Sequence, residues 1–276
     1  MKNILVTGGS GFFGQAFVRE ALNRGAERVC VFSRSESTQA LMRAEFNSDR
    51  LRFFIGDVRD QDRLRRAMHG VDIVVHAAAL KRIDAAEYNV LEATMTNVMG
   101  TQNVVSAAID AGVKKAVLLS TDKACNPTTT YGKTKALAED IFLGARHYAG
   151  PDGPKFAVCR YGNVTGSTGS VIPTWRRSSG PVRVTDPAAT RFFMRASEAV
   201  ALVWGTAERM EGGELVIPEA LPAYSVGDLA EAMGKLYTVV GLAPNEKLHE
   251  EMRPGWSSEM ARRMTVAELR EELANV

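Results

Sequence analysis

The segment Ile4-Leu5-Val6-Thr7-Gly8-Gly9-Ser10-Gly11-Phe12-Phe13-Gly14 constrains this chain more than any other. Ile4 to Val6 form a short apolar run, the glycines break it, and Gln15 to Asn23 carries Ala16, Phe17, Ala21 and Leu22 at helical spacing. The pattern predicts strand, tight turn and helix. Gly8 permits the turn, Gly11 lets the backbone approach a bound group, and Gly14 allows the helix to pack close to the strand. A helix N-terminus presents unpaired N–H groups and the positive end of its dipole, which suits a pyrophosphate. Thr7, Gly8, Ser10, Gly11, Phe12 and Gly14 are therefore the expected dinucleotide-binding turn.

The same alternation continues down the chain. Apolar runs at Val29-Cys30-Val31-Phe32, Leu51 to Ile55, Asp72 to His76, Lys115 to Leu119 and Phe156 to Arg160 are separated by glycine-marked breaks and by helical stretches at Val90 to Ala111 and Tyr131 to Tyr148. Near-continuous apolar strands separated by helices predict an α/β fold, a doubly wound parallel sheet of the Rossmann type covered on both faces. Beyond Gly162 the texture turns to Gly-, Ser- and Pro-rich loops with helix-like pieces at Ser197 to Arg209, Ser225 to Leu236 and Val266 to Leu273. We expect a dinucleotide domain over 1–165 and a smaller, interleaved substrate-binding lobe over 166–276, with the last helix packing weakly because charges occupy most of its faces.

Composition narrows the function. With 276 residues, 45% of them apolar, the chain can bury a full core. Its 34 basic and 32 acidic side chains are mixed, for a net charge of +2, so no basic stripe exists to grip nucleic acid. No apolar stretch is long enough to cross a membrane, and the N-terminal run is too short for a signal peptide, which leads us to expect a cytoplasmic protein. Cys30, Cys125 and Cys159 are widely spaced, fitting free thiols rather than a disulfide framework or a metal site.

The end of the second strand reads Ser33-Arg34-Ser35, with no acid to hold a ribose hydroxyl. An arginine there can fork onto a 2′-phosphate, so Ser33 and Arg34 favour NADP, with NAD as the alternative. Gly56-Asp57-Val58, closing the third strand, places Asp57 and Val58 beside the adenine, although Asp57 could equally cap the helix that starts near Arg59.

Tyr131 and Lys135 lie four apart on one helical face. A nearby ammonium and an oxidised nicotinamide both favour a phenolate, which would make Tyr131 a base. Ser120-Thr121-Asp122-Lys123 follows the strand ending at Leu119, at the carboxyl edge where such sheets bind ligands. A hydroxyl, an acid and an amine thus converge on the tyrosine.

These residues resemble the extended short-chain dehydrogenase/reductase superfamily. Within it, Ser120-Thr121-Asp122-Lys123-Ala124-Cys125-Asn126-Pro127 followed by Tyr131-Gly132-Lys133-Thr134-Lys135 is similar to the UDP-N-acetylglucosamine 4,6-dehydratases of the inverting type and to the related epimerases. His76-Ala77-Ala78-Ala79-Leu80-Lys81, Arg160 to Val164, Gly169 to Pro173, Thr190 to Met194 and Glu246 to Glu250 support the match in order. The resemblance implies a redox-neutral cycle. Tyr131 takes the proton of the sugar 4-hydroxyl as hydride leaves C4, Lys123 removes the acidified C5 proton, Asp122 protonates the departing 6-hydroxyl, and hydride returns to C6. Thr121 would bond the 4-oxygen, and Lys123 would need a lowered pKa.

By the same resemblance Ala77, Ala78, Ala79 and Lys81 border the cofactor, Lys81 and Asn163 touch the substrate, Val171, Ile172 and Pro173 border the uracil, and Arg191 and Glu250 hold the nucleotide. Homo-oligomers are expected by analogy. The chain departs from the family at Arg82-Ile83-Asp84, where His-Val-Pro is usual, and at Ala243-Pro244-Asn245, which removes an arginine expected near the diphosphate, so that either Arg191 and Lys247 carry that charge or the substrate differs. Three alternatives stand beside 4,6-dehydration: 4-epimerisation, which needs no C5 base; elimination to a 5,6-unsaturated sugar; and a dinucleotide sensor without chemistry.

Overall fold

Period-two alternation inside the apolar runs decides the architecture. Ile4 and Val6 turn to one face and Leu5 to the other; Val29 and Val31 oppose Cys30 and Phe32; Val117 and Leu119 oppose Ala116 and Leu118. Each strand feeds two apolar cores, so helices must cover both faces. The computed structural model, which describes residues 1–275, has that arrangement.

Strands β1 (Asn3–Thr7), β2 (Arg28–Ser33), β3 (Leu51–Ile55), β4 (Ile73–His76), β5 (Lys115–Thr121) and β6 (Lys155–Tyr161) carry the sheet. Between them run α1 (Phe12–Asn23), α2 (Glu36–Phe46), α3 (Gln61–Ala67), α4 (Ile83–Tyr88), α5 (Val90–Thr94), α6 (Gly100–Asp110), α7 (Thr130–Gly144) and α8 (Arg146–Ala149). Short β7 (Asn163–Val164), α9 (Val171–Arg177), β8 (Val182–Val184) and β9 (Thr190–Met194) follow, then α10 (Ala196–Arg209) and β10 (Glu214–Val216). The chain closes with β11 (Ala223–Ser225), α11 (Val226–Ala232), β12 (Tyr237–Val239), β13 (Glu251–Arg253), β14 (Trp256–Ser257) and α12 (Val266–Ala274).

The seven-stranded sheet has the order β10-β6-β5-β4-β1-β2-β3, with every pair parallel. The expected boundary at 165 is therefore crossed once: α10 and β10 lie beyond it yet return to the sheet, and Val203 and Trp204 of α10 join the core that holds Phe17 and Val18 of α1. Burying a side chain such as Phe17 completely stabilises the fold by roughly 1.5–3 kcal/mol. The remaining C-terminal residues build a lobe around Trp175, Phe193, Tyr224, Leu229 and Leu269.

Three local expectations are corrected. The helix after β3 starts at Gln61 rather than Arg59, because Asp60 caps it by accepting from Arg63 N at 2.9 Å. The stretch from Val90 to Ala111 is not one regular helix, since Met95–Met99 forms a π turn between α5 and α6. The last helix packs well: Leu269 and Leu273 are buried against the lobe and Thr265 with Glu268 makes a capping box. Its charges lie on the outer faces only.

Candidate active site

A cleft of about 1080 Å³ runs along the carboxyl edge of the sheet and under the lobe. Pockets for one small ligand are roughly 300–1,000 Å³, so this one has room for a dinucleotide and a second molecule. Its walls include Gly8, Ser10, Gly11, Phe12, Gly14, Ser33, Arg34, Asp57, Val58, Ala77, Ala78, Ala79, Lys81, Thr121, Lys123, Tyr131, Lys135, Asn163, Val171, Arg191 and Glu250. Sequence residues more than a hundred positions apart thus meet in one space.

The dinucleotide end is built tightly. Gly8 has φ +66°, and a Cβ on Gly14 would lie 2.5 Å from the carbonyl oxygen of Gly8, so only glycine lets α1 rest on the turn. Gly11 caps α1 without any side-chain bond, leaving the first-turn amides to a ligand. Thr7 is wholly buried beneath the turn and does not line the cleft. Its hydroxyl lies 2.7 Å from His76 Nδ1 and accepts from Ala78 N, while His76 Nε2 faces Thr101 Oγ1 at 3.1 Å. Because Thr101 spends its proton on Asn97 O, Nε2 must carry the imidazole hydrogen, and Thr7 donates to Nδ1. Burial holds this histidine neutral, with its pKa lowered to about 3.

At the end of β2, Ser10 Oγ donates to Ser33 Oγ at 2.8 Å and meets Thr38 Oγ1 at 3.0 Å. Arg34 is exposed and stands 4.0 Å from Asp57. Asp57 does not cap a helix; it accepts from Arg59 N and its guanidinium, which hold its pKa down against the effect of burial. Asn103 bonds the carbonyls of Val58 and Arg59 and fixes this loop.

The other end of the cleft centres on a turn of 3-10 helix, Asp122–Ala124, directly after β5. Asn126 adopts φ +44° and carries the chain from this turn into Pro127 and α7. A Cβ on Gly132 would lie 2.3 Å from the carbonyl oxygen of Lys123, so the glycine lets α7 close onto the turn. Thr121 Oγ1 donates to Asp122 Oδ1 at 3.0 Å, and Lys123 Nζ lies 3.1 Å from Asp122 Oδ1, 3.3 Å from Asn163 Oδ1 and 3.2 Å from Glu250 Oε1. Asp122 is 0% exposed and its Oδ2 has no hydrogen-bond partner among the described residues. It sits behind the cleft wall and reaches the cleft through Thr121 and Lys123.

The charges differ from expectation in two places. Burial lowers the proton affinity of Lys123, but Asp122 and Glu250 outweigh it, so its pKa is raised rather than lowered. Burial, with the second carboxylate of Glu250, raises that of Asp122. Tyr131 is pushed up to about 12 by burial, and the cation that opposes this is Lys123, not Lys135. Lys135, 3% exposed, is lowered to about 8 by burial against the pull of Glu139, and it makes no hydrogen bond or ion pair among the described residues. A buried, unpaired ammonium on the dinucleotide side and an uncapped helix N-terminus both fit a nicotinamide dinucleotide, whose ribose hydroxyls and phosphates need such donors.

The substrate side differs in part. Arg191 lines the cleft while its Nη2 pairs with Glu246 Oε1 at 2.9 Å. Glu250 lines the cleft and pairs with Lys123 at 3.2 Å. Val171 borders the cleft, but Ile172 turns into the lobe core and Pro173 is not on the wall, because these residues form the first turn of α9 and a helix shows only one side. Trp175, one turn on, takes their place.

One positioning residue escaped sequence reasoning. Asn97, on the π turn, accepts from Leu80 N and donates to Leu80 O and Thr134 Oγ1, and Thr134 in turn bonds Tyr131 O. It ties the Ala77–Lys81 loop to the tyrosine helix. An asparagine in mid-helix, where its side chain competes with the backbone, was the available signal.

Residues 4–268 match the family model described as polysaccharide biosynthesis protein. The chain belongs to this family. A UDP-N-acetylglucosamine 4,6-dehydratase (inverting) from Campylobacter jejuni is 44% identical over 91% of this chain and 77% of its own length. A UDP-glucose 4-epimerase from Rickettsia conorii is 38% identical over 95% of this chain and 80% of its own length. Among solved structures, Pen from Bacillus thuringiensis superposes with a TM-score of 0.93 at 35% identity, covering 100% of this chain and 98% of that one. The chain's kinship is with sugar-nucleotide enzymes of the short-chain dehydrogenase/reductase kind. No described helix is long and apolar enough to cross a membrane.

Proposed function

We propose that the protein is an NADP-dependent UDP-N-acetylglucosamine 4,6-dehydratase giving a 4-keto-6-deoxy sugar. The buried Asp122–Lys123–Glu250 cluster beside Thr121 and Tyr131 carries the reading, since oxidation at C4 alone, as epimerisation requires, needs no such acid and base.

When bound, the nicotinamide supplies a two-electron acceptor for C4 and a donor for C6. Tyr131 receives the 4-hydroxyl proton. Burial favours its phenol form, and the positive charges of Lys123 and of an oxidised nicotinamide would oppose this and make it a base. Thr121 holds the 4-oxygen. The new ketone acidifies C5–H, Lys123 as a free amine takes that proton, and Asp122, whose pKa burial raises, acts as the acid for the departing 6-hydroxyl by way of its cleft-facing neighbours. The 2′-phosphate preference is supported by Arg34, the hydroxyls of Ser10, Ser33 and Thr38, and the lack of an acid at this strand end. Self-association is supported by the exposed Tyr88, Leu91 and Leu137.

Incubation with UDP-N-acetylglucosamine in deuterated water tests the reaction. Loss of one water with deuterium at C5 is expected. An unchanged mass with a new epimer would replace the reading by epimerisation, and an unsaturated product would mean that elimination ends without the return of hydride.

A further inference from the structure

Lys123 must be an amine to remove a proton from C5, yet the fold holds it as an ammonium between Asp122 and Glu250. Glu250 is 4% exposed, on the segment leading into β13. Its Oε1 meets Lys123 Nζ at 3.2 Å; its Oε2 is 4.0 Å from Lys247 Nζ and has no hydrogen-bond partner among the described residues. Burial disfavours the charge on Glu250, but Lys123, Arg191 and Lys247 together hold it as a carboxylate. Asp122, Tyr131 and Tyr224 are the other titratable groups around Lys123.

All three cations that hold Glu250, namely Lys123, Arg191 and Lys247, line the cleft. Lys123 is held at 3.1 Å by Asp122 and 3.2 Å by Glu250, whereas Lys247 stands 4.0 Å from Glu250 and donates to Cys125 O, and Arg191 pairs with Glu246, so Arg191 and Lys247 are the cations that a nucleotide diphosphate would draw away from Glu250. An anion that engages them withdraws their field from Glu250 and adds its own negative charge, and both changes raise the affinity of Glu250 for a proton. The nearest proton is on Lys123.

We propose that the substrate's diphosphate arms the base: by drawing Arg191 and Lys247 away from Glu250, it turns that carboxylate into the acceptor of a proton from Lys123. The inference rests on the UDP-sugar reading above. One N–H bond of Lys123 breaks and one O–H bond of Glu250 forms, which converts an ammonium–carboxylate pair into an amine and a carboxylic acid with no net change in charge. The amine then takes the C5 proton, the C–H electron pair moves into the enolate of the 4-ketone, and Asp122 gives its proton as the C6–O bond breaks and water leaves. A sugar without the diphosphate leaves the base protonated.

The test uses the enzyme with its oxidised cofactor and UDP-xylose, which has the diphosphate but no C6 and cannot lose water. In the infrared difference spectrum between free and UDP-xylose-bound enzyme, the C=O stretch of a protonated carboxyl group is expected to appear, and to be lost in Glu250→Gln. Lys247→Met, which weakens the hold on the carboxylate in advance, should show part of the band before nucleotide is added and a smaller gain afterwards. A wild-type enzyme that binds UDP-xylose without the band, or a Glu250→Gln enzyme that keeps it, overturns the arming step alone. Failure of any UDP-sugar to bind overturns the substrate reading and the arming step with it.

Discussion

Glu139→Gln separates the structural from the catalytic use of one buried carboxylate. Glu139, on α7, receives Arg160 Nε at 3.0 Å and Nη2 at 2.5 Å, while Arg160 Nη1 reaches Met252 O on β13 at 2.9 Å. Both side chains are almost wholly buried. Removing one member of such a pair leaves an uncompensated charge, at a cost of about 3–5 kcal/mol. Glutamine keeps one acceptor, so the low end, about 3 kcal/mol, applies; at roughly 2–4 °C per kcal/mol for a chain of this size, the melting temperature should fall by roughly 6–12 °C.

The same substitution removes the charge that supports the ammonium of Lys135. Its pKa, already about 8, should fall further, and the alkaline limb of dinucleotide binding should move to lower pH. Thermal unfolding of the cofactor-free protein and cofactor titration across pH read the two effects separately. The double change Glu139→Leu with Arg160→Met, which removes both charges, should recover most of the stability and none of the pH shift. A single variant that melts within a degree or two of wild type, or an unmoved alkaline limb, would refute the reasoning.

Three further outcomes are expected. Because His76 refuses a proton in the fold down to about pH 3 while the unfolded chain accepts one near 6.5, stability should drop as pH falls through that window. The loss is about 2 kcal/mol by pH 5, and denaturant titrations of His76→Asn should show a flatter slope. Arg34→Ala should weaken NADP binding by roughly 10- to 100-fold and leave NAD binding unchanged, as measured by cofactor fluorescence. Asn97→Ala orphans both backbone groups of Leu80, at about 1–3 kcal/mol each, and should lower kcat more than it weakens dinucleotide binding.

The glycine turn, the strand runs and the Tyr131–Lys135 pair were legible because each is local: the spacing of a few residues determines the geometry. The kinked helix at Met95–Met99 and the bridge from Asn97 were not, since a π turn is held by contacts with Leu80 and Thr134 that no local pattern encodes. The proton affinity of Lys123 was misjudged for the same reason. Asp122 is adjacent in sequence, but Glu250 is more than a hundred residues away, and only the fold shows that Lys123 faces two carboxylates. Val171 to Pro173 were expected as a continuous wall; a helical turn exposes one of the three.

Where those long-range charges sit has a consequence for motion. Asp122 and Lys123 follow β5, Asn163 follows β6, and Glu250 arrives with the segment that enters β13 in the C-terminal lobe. Arg160, at the end of β6, reaches across to Met252 in the same segment, and Thr190 of β9 holds His249 and Ser258 on either side of it. The docking of one segment therefore completes the Asp122–Lys123–Glu250 cluster and buries the Glu139–Arg160 pair. Leaving Lys123 with Asp122 alone, or Arg160 without its carbonyl, would uncover buried charge at several kcal/mol, so the lobe cannot carry residues 249–253 away from the ends of β5 and β6 as a cheap opening motion.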